Sequence, residues 1–216
     1  KMNIDVAKDL EPIAPTARVS SFLVVRPTLA VNSVAELIAY ARANPGKLDY
    51  GSGGGGSAPH LAAVMLSRAA KIEATHIPFK GSTETLAALL GGQIDFTFDV
   101  GIAIAQIKAG KLRLLAVASP SRSSIFPDTP TMAEAGTELN GSTTHGVYAP
   151  AGIPRDLVAR LNREIVRVMQ TPELRKVLVS LGADLLTGSA EEFAERQRRD
   201  RETYGVLVRE AGIRAE

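Results

Sequence analysis

The sequence predicts an α/β fold, a mostly parallel β-sheet with helices on both faces. Two observations predict it. Short apolar runs typical of strands alternate with amphipathic helical patterns from residue 22 to residue 118. Turn or polar residues repeatedly follow the predicted strands, and a ligand cleft is expected outside the carboxyl ends of such strands.

The first half of the chain contains the clearest elements. Residues 1–10 are polar, without a cap or a strand pattern, and residues 10–21 mix short apolar groups with two prolines. A strand at 22–25 ends before Pro27, and the capping-box pattern Ser33-Val-Ala-Glu36 opens a helix. The order then repeats, with strands expected at 48–50, 74–77, 94–98 and 112–118 and helices at 34–44, 60–70, 82–90 and 101–109.

The second half has a different character. Residues 119–130 are rich in Ser, Pro and Arg without a regular period, which predicts a connection between two lobes. A short helix at 131–135, a strand at 145–149 and helices at 155–169, 172–181 and 190–210 are expected to follow. We expect this half to be mainly helical, with little of the sheet that its helices would pack on.

Composition excludes several classes of protein. Among 216 residues, 25 basic and 23 acidic side chains are interleaved, so the net charge of +2 favours neither nucleic acid nor an anionic membrane as a partner. The chain has no cysteine, which excludes a thiol nucleophile, a disulfide framework and thiolate metal ligands. No apolar run is long enough to span a membrane, so direct membrane insertion is not expected, and the first residues do not resemble a secretion signal.

A glycine-rich turn, Gly51–Leu61, separates a predicted strand from a predicted helix. It reads Gly-Ser-Gly-Gly-Gly-Gly-Ser-Ala-Pro-His-Leu. Glycine loses the most backbone entropy on folding, so four in succession need a compensating role. Without Cβ atoms the amides of residues 54–57 can converge on an anion, and a helix that begins near Ala58 or Pro59 directs its positive dipole end to the same point. The pattern predicts an oxyanion-binding turn.

Other interpretations of this turn remain open. A Gly/Ser tract is also typical of a flexible linker. Gly51-x-Gly53-x-x-Gly56 satisfies the dinucleotide fingerprint, although a run of four glycines matches it almost automatically. The lysine of a phosphate-binding P-loop is missing, and no acidic ribose partner ends the next strand, which continues into Pro78, Phe79 and Lys80.

The three histidines do not form a metal-binding pattern. His60, His76 and His145 share no ligand spacing and no acidic pair accompanies them. His60 lies on the first turn of the helix behind the glycines, where its ring either holds the loop or contacts a ligand. We expect His76 to be structural, whereas His145 could face the cleft.

The remaining candidates are polar residues near the strand ends. Ser52 and Ser57 lack a Gly-x-Ser-x-Gly elbow, so hydrogen bonds to a carboxylate explain them better than nucleophilic catalysis. A lone carboxylate such as Asp99 is more often a cap or a ligand contact than a general base. Lys80 either pairs with an anionic ligand or is solvated. The basic run at 196–201 contains acids and lies on a predicted helix, which favours a solvated face.

Seven segments together resemble a known family. The residues and their spacing are similar to those of the Bug family, the TctC-like receptors of tripartite tricarboxylate transporters, from about Asp9 to the C-terminus. The segments are Tyr50-Gly-Ser-Gly-Gly-Gly-Gly-Ser-Ala-Pro-His-Leu61, Ile77-Pro-Phe-Lys-Gly81, Leu89-Leu-Gly-Gly-Gln-Ile-Asp95, Phe98-Asp99, Ile107-Lys-Ala-Gly-Lys-Leu-Arg113, Pro130-Thr-Met-Ala-Glu-Ala-Gly136 and Ala149-Pro-Ala-Gly-Ile-Pro154.

The resemblance implies a periplasmic binding protein of type II fold without catalytic activity or a cofactor. Two α/β lobes would close on a small organic carboxylate, namely a di- or tricarboxylate, an acidic amino acid or an aromatic acid, and pass it to membrane permease subunits. In the family the glycine/serine turn holds a ligand carboxylate, and Asp99 would line the same cleft. The ligand-binding residues expected here are Ser52, Gly54, Gly55, Gly56, Ser57, Ala58, His60, Lys80, Asp99 and His145.

The same resemblance divides the chain into lobes. Residues 27–118 would form the second lobe, which carries the turn, and residues 1–26 with 119–216 would form a partial first lobe. The family's N-terminal proline- and glycine-rich loop and its signal peptide have no counterpart, so we expect a truncated form that lacks the N-terminal part of the first lobe. His145 stands where relatives usually carry an aromatic residue, which leaves the identity of the ligand open.

Two rival functions stay open at this stage. One is an α/β enzyme that uses the glycine turn for a nucleotide, or Ser57 with His60 for hydrolysis. The other is a scaffold that has lost ligand binding together with the N-terminal loop.

Overall fold

Contacts in the computed structural model, which describes residues 4–213, divide the chain into two units. The first unit contains the described residues up to Val19 together with Thr144–Gly205. The second unit contains Ser20–Thr143 and the residues from Val206. The lobe boundaries expected at residues 27 and 118 stay a prediction.

Strands and helices alternate along most of the chain. The strands are β1 (Leu10–Val19), β2 (Ser21–Val25), β3 (Leu48–Ser52), β4 (Ala74–Pro78), β5 (Phe96–Asp99), β6 (Arg113–Ala118), β7 (Thr143–Pro150) and β8 (Ala183–Leu185). The helices are α1 (Val6–Asp9), α2 (Val34–Ala43), α3 (Ala58–Ala70), α4 (Ser82–Leu90), α5 (Ile104–Lys108), α6 (Arg155–Met169), α7 (Pro172–Ser180) and α8 (Ala190–Glu210).

The second unit contains a five-stranded sheet in the order β4-β3-β5-β2-β6. β3 pairs in parallel with both β4 and β5. β2 runs antiparallel to β5 and to β6, so the other four strands share one direction. The α/β class is confirmed, and β2 makes the sheet a mixed one.

Helices cover both faces of this sheet. Successive β2 residues point to opposite faces, and all five are buried, which explains the uninterrupted apolar run in the sequence. Leu23 and Val25 pack in one buried cluster with residues of α2 and α3. Phe22 and Val24 pack in a second cluster with residues of α4 and β6.

The first unit is built around a three-stranded sheet in the order β7-β1-β8. β1 and β8 are antiparallel, with Ala17 opposite Leu185. On α6, the Asn162 side-chain amide donates to the carbonyl oxygens of Ile13 at 2.8 Å and Gly188 at 3.0 Å. Phe193 of α8 is fully buried and packs on Tyr148, with 5.1 Å between ring centroids.

Four local predictions differ from the structure. The sequence predicts no strand before Phe22 and none at residues 183–185, yet β1 and β8 form there. The two strands pair only at residues 17–19 of β1, beyond both of its prolines, so the prolines do not interrupt this pairing. Residues 6–9 form α1 because the Asp5 carboxylate accepts the amide of Ala7. Expectations for residues 1–3 lie outside the described part of the chain.

The fourth difference concerns residues 131–135, where a β-bridge at Thr131 and turns at residues 132–135 replace the expected helix. Thr131 makes a β-bridge to Val117, and the Met132 amide donates to the Val117 carbonyl. This pairing draws the start of the segment to the edge of the sheet and leaves too few residues for a helix.

Candidate functional site

The glycine turn connects β3 to α3 at the carboxyl end of β3, as predicted. Gly54 (φ +109°) and Gly56 (φ +76°) adopt the left-handed backbone conformation that side chains disfavour. A Cβ atom on Gly53 would lie 3.4 Å from the Cα of Gly81. The turn therefore packs closely on the loop between β4 and α4.

Hydrogen bonds within the turn hold its shape. The buried Ser52 hydroxyl lies 3.0 Å from the Gly54 carbonyl oxygen and accepts from the Gly54 amide at 3.3 Å. The Ser57 hydroxyl donates to the same carbonyl at 2.8 Å, and the Ser57 amide donates to it at 3.3 Å. In the described part of the chain, the amides of Gly55 and Ala58 donate to no acceptor.

Two histidines contact the turn, one at the Gly56 amide and one at the Ser52 hydroxyl. The Nδ1 atom of His60, on α3, accepts the Gly56 amide at 3.0 Å. The Nε2 atom of His76, on β4, lies 2.7 Å from the Ser52 hydroxyl. The two imidazole rings stack with 3.8 Å between centroids, and Tyr50 stacks on His76 at 5.0 Å.

A small pocket lies beside the turn, between the first turns of α3 and α4 and the tip of β5. The positive dipole ends of both helices are directed to this region, which favours an anion. The turn, the start of α4 and Asp99 thus converge at the end of the sheet where the cleft is predicted. The pocket is lined by Gly53, Pro59, Ser82, Thr97, Asp99 and Val100.

Asp99 combines a capping role with a position in the pocket wall. It is 5% exposed, and one carboxylate oxygen accepts the amides of Gly101 at 2.7 Å and Ala103 at 3.0 Å. Burial raises the pKa of Asp99, and the backbone amides of residues 100–103 oppose this effect. Asp99 therefore orders the segment before α5 and faces the pocket.

Two predicted residues have other surroundings. Lys80 is exposed in the loop after β4, and its backbone amide donates to the Glu84 carboxylate at 3.1 Å. His145 is exposed on β7, which belongs to the first unit. Its role in ligand binding stays a prediction.

Sequence reasoning missed three polar contributions to the site. Ser82 begins α4 after Gly81, and this strand-glycine-helix pattern, the same as at the glycine turn, was a usable signal. Thr97 donates to the Gly51 carbonyl at 2.8 Å, a contact between strands that no local pattern reveals. His76, expected to be merely structural, contacts the hydroxyl that shapes the turn.

The geometry does not support a hydrolase. The Ser57 hydroxyl donates to the Gly54 carbonyl, and Nδ1 of His60 is occupied by the Gly56 amide, so neither atom is placed for a Ser57–His60 dyad. In residues 4–213 no cluster of three or more His, Cys, Asp or Glu side chains could hold a metal ion. Within the same range, none of the helices combines the length and apolar character needed to cross a bilayer.

Comparison with known proteins places the chain among transport receptors. The family model described as tripartite tricarboxylate transporter family receptor, TctC, matches residues 1–213. The UPF0065 protein in the tcbD-tcbE intergenic region of Pseudomonas sp. (strain P51) is 34% identical over 96% of this chain and 63% of its own length. Protein BugT of Bordetella pertussis is 30% identical over 97% of this chain and 65% of its own length. The chain thus spans less than two thirds of these curated relatives.

Solved structures show the same similarity. R. palustris Rpa4515 with adipate has a TM-score of 0.89 and 32% identity, over 99% of this chain and 72% of its own. MatC from Rhodopseudomonas palustris with bound malate has a TM-score of 0.82 and 27% identity, over 96% of this chain and 72% of its own. The periplasmic binding protein BugD has a TM-score of 0.82 and 29% identity, over 96% and 71%. The chain belongs to the TctC family of tripartite tricarboxylate transporter receptors, a family of solute-binding receptors and not of enzymes.

Proposed function

We propose that this chain captures a small organic carboxylate in the periplasm for a tripartite tricarboxylate transporter. Family membership supports the receptor role. Two similar structures contain adipate and malate, which are both aliphatic dicarboxylates. A dicarboxylate is therefore the ligand class that we favour over aromatic acids and acidic amino acids.

One observation carries the proposal, namely the convergence of the glycine turn with the starts of α3 and α4 at the carboxyl ends of the parallel strands. Each charge-dipole contact of this kind contributes about 0.3 to 1 kcal/mol, and up to about 2 kcal/mol when partly buried. The Gly55 and Ala58 amides would donate to one carboxylate of the ligand.

The other turn residues would act mainly by shaping this donor set. Their polar groups form hydrogen bonds within the turn or with His60 and His76; these residues are Ser52, Gly54, Gly56 and Ser57. Asp99 would disfavour a second anion at the pocket wall and accept a hydrogen bond from a ligand donor. Lys80, exposed at the rim, would add long-range attraction for a dianion.

Transport partners follow from the family and not from this site. We propose that permease subunits of the transporter receive the bound acid unchanged, without a cofactor. Delivery of this kind needs no chemical step, and the pocket offers no activated nucleophile for one.

Calorimetric titration of the purified chain tests the proposal directly. We expect saturable binding of adipate or malate near neutral pH and no binding of dimethyl adipate, which keeps the carbon chain but carries no charge. Saturable NAD binding, or equal binding of the acid and the ester, would contradict the proposal. A chain that binds none of a panel of di- and tricarboxylates would contradict it as well.

A matched pair of lysine variants sharpens this titration. Lys80→Gln should weaken dicarboxylate binding by about two- to fivefold, because an exposed charge pair contributes up to about 1 kcal/mol. Lys47→Gln removes a charge that is also exposed, just before β3 and so at the opposite end of the parallel strands, and should leave affinity unchanged. Equal effects of the two substitutions would show that only net charge matters.

A further inference from the structure

The stacked imidazoles of His60 and His76 are the feature of this unit that ligand contact alone does not explain. The rings are nearly parallel, with an interplanar angle of 16° and 3.8 Å between centroids. His60 is 8% exposed, and it comes from α3 whereas His76 comes from β4. Two imidazole rings that can each take up a proton are thus packed face to face in contact with the glycine turn.

His60 constrains one half of the turn through its protonation state. Nδ1 can accept the Gly56 amide only while it carries no proton of its own. Protonation at Nδ1 would set two N–H groups against each other at 3.0 Å. The left-handed conformation of Gly56 would then lose its only side-chain support among the described residues.

His76 constrains the other half through Ser52. Its Nε2 atom lies 2.7 Å from the Ser52 hydroxyl, which in turn contacts both the amide and the carbonyl of Gly54. The stack therefore connects to the turn at Gly54 and at Gly56. The two donors proposed for the ligand, the amides of Gly55 and Ala58, lie between and just beyond these points.

The surroundings of the stack favour uncharged rings. From β3, Tyr50 lies against both imidazoles, and burial raises the pKa of its hydroxyl to about 12. Burial is the larger cause that lowers the pKa of His76 to about 4, and the nearby His60 adds to the shift. The charged groups on the neighbouring elements are Asp49 on β3, Arg68 on α3, Glu84 on α4 and Asp99 at the tip of β5, with Lys80 in the loop before α4. Asp99 already accepts backbone amides.

We propose that the His60–His76 stack is a positioning device for the glycine turn that makes carboxylate binding proton-sensitive. Nδ1 of His60 must carry no proton for the turn to present the Gly55 and Ala58 amides, so uptake of a proton by His60 releases Gly56 and weakens binding. This inference rests on the proposed function for its ligand, although the coupling between His60 and Gly56 exists without one.

Adipate titrations of three proteins test the coupling. Wild-type affinity should fall by about tenfold or more as pH is lowered from 7.5 toward 4, in line with the loss of a buried hydrogen bond. His60→Leu, which has no acceptor, should be weaker by about tenfold at pH 7.5. His60→Asn places an oxygen near the Nδ1 position without a titrating group, so it should rescue most of that loss. It should also show a flatter pH profile than wild type.

Adipate itself takes up protons as pH falls, and it does so equally in the titrations of both proteins. Comparison of wild type with His60→Asn therefore removes the ligand's own contribution to the pH profile. A wild-type pH profile that His60→Asn reproduces would overturn the proposal. So would a His60→Asn variant as weak as His60→Leu.

A second measurement needs no ligand. In ¹⁵N NMR spectra of the free chain, the neutral His60 ring should carry its proton on Nε2, and the Gly56 amide shift should follow the titration of His60. If the wild-type chain binds no carboxylate yet Gly56 follows His60, the receptor function fails and the positioning device stands. If Gly56 ignores the titration of His60, the device is disproved whatever the chain binds.

Discussion

At the scale of single residues, the glycines around the turn serve different physical purposes. Gly54 and Gly56 are needed for their backbone conformation. Gly51 is needed for space, because a Cβ atom there would lie 2.4 Å from Cδ1 of Ile94 and 2.8 Å from Cγ2 of Thr85. The sequence shows a uniform run, and only the structure separates the two requirements.

Gly51→Ala should therefore destabilise the second unit. Overpacking of this kind costs about 1–3 kcal/mol of unfolding free energy. Gly81→Ala is the matched control, because Gly81 has extended backbone (φ 179°) and its Cβ would meet no atom within 4 Å. Urea denaturation should show a clear loss for the first variant and a change within about 0.5 kcal/mol for the second. Equal midpoints would contradict the packing argument.

The half-buried His76 predicts a pH dependence of stability. Its pKa in the folded chain is lowered from 6.5 to about 4, so the unfolded chain takes up the proton first as pH falls. The contribution of neutral His76 is fully present above about pH 6.5 and is lost progressively toward pH 4. Between pH 7 and 4.5, the wild-type Tm should fall more steeply than that of His76→Gln, whose side chain does not titrate. Parallel Tm curves would contradict the assigned shift.

At the scale of secondary-structure elements, local signals predicted helix starts well. Ser33 accepts the Glu36 amide and caps α2 as its position predicts, whereas the Glu36 carboxylate accepts the amide of Asn32, one residue before the cap. Ser189 accepts the Glu192 amide and Glu192 accepts the Ser189 amide, so the second capping box forms in full. β1 and β8 escaped prediction because each depends on a partner more than 160 residues distant, as the Arg18–Asp184 ion pair between them illustrates.

Loss of the Ser33 cap should weaken α2 measurably. Ser33→Ala removes the acceptor for the Glu36 amide and should lower the free energy of unfolding by about 0.5–2 kcal/mol. Ser33→Asp keeps an acceptor at the same position and should restore most of that loss. Chemical denaturation measures both variants, and an unchanged midpoint for Ser33→Ala would show that the cap contributes nothing.

At the scale of the whole molecule, the two units differ in how much they bury. The second unit contains two buried clusters, one on each face of its sheet. In the first unit, α6 and α7 lie wholly within the described residues and contain no buried residue. Local stability follows burial, so the units should not open equally.

Amide hydrogen exchange should reveal this difference. We expect α6 and α7 to exchange at lower protection than β2 and β5, whose residues are all buried. Mass spectrometry of peptides from the labelled chain measures the protection of each segment. Uniform protection over both units would contradict the expectation from burial.

The site as a whole was predictable where it depends on strand ends and not where it depends on distant pairs. Alternating strands and helices predicted that the glycine turn and Asp99 meet at one edge of the sheet, because parallel strands end together. The contact between His60 and His76 joins a helix to the strand that follows it. No spacing rule in the sequence reports such a ring stack, since it depends on how α3 packs against the sheet.

Binding of a carboxylate by the amides of the glycine turn is tested most directly by the backbone ¹H–¹⁵N spectrum of the labelled chain during an adipate titration at neutral pH. We predict saturable shifts concentrated at Gly53–Ala58 and at Ser82, with dimethyl adipate as the inactive control. Saturable shifts elsewhere that leave these amides unmoved would contradict this mode of binding.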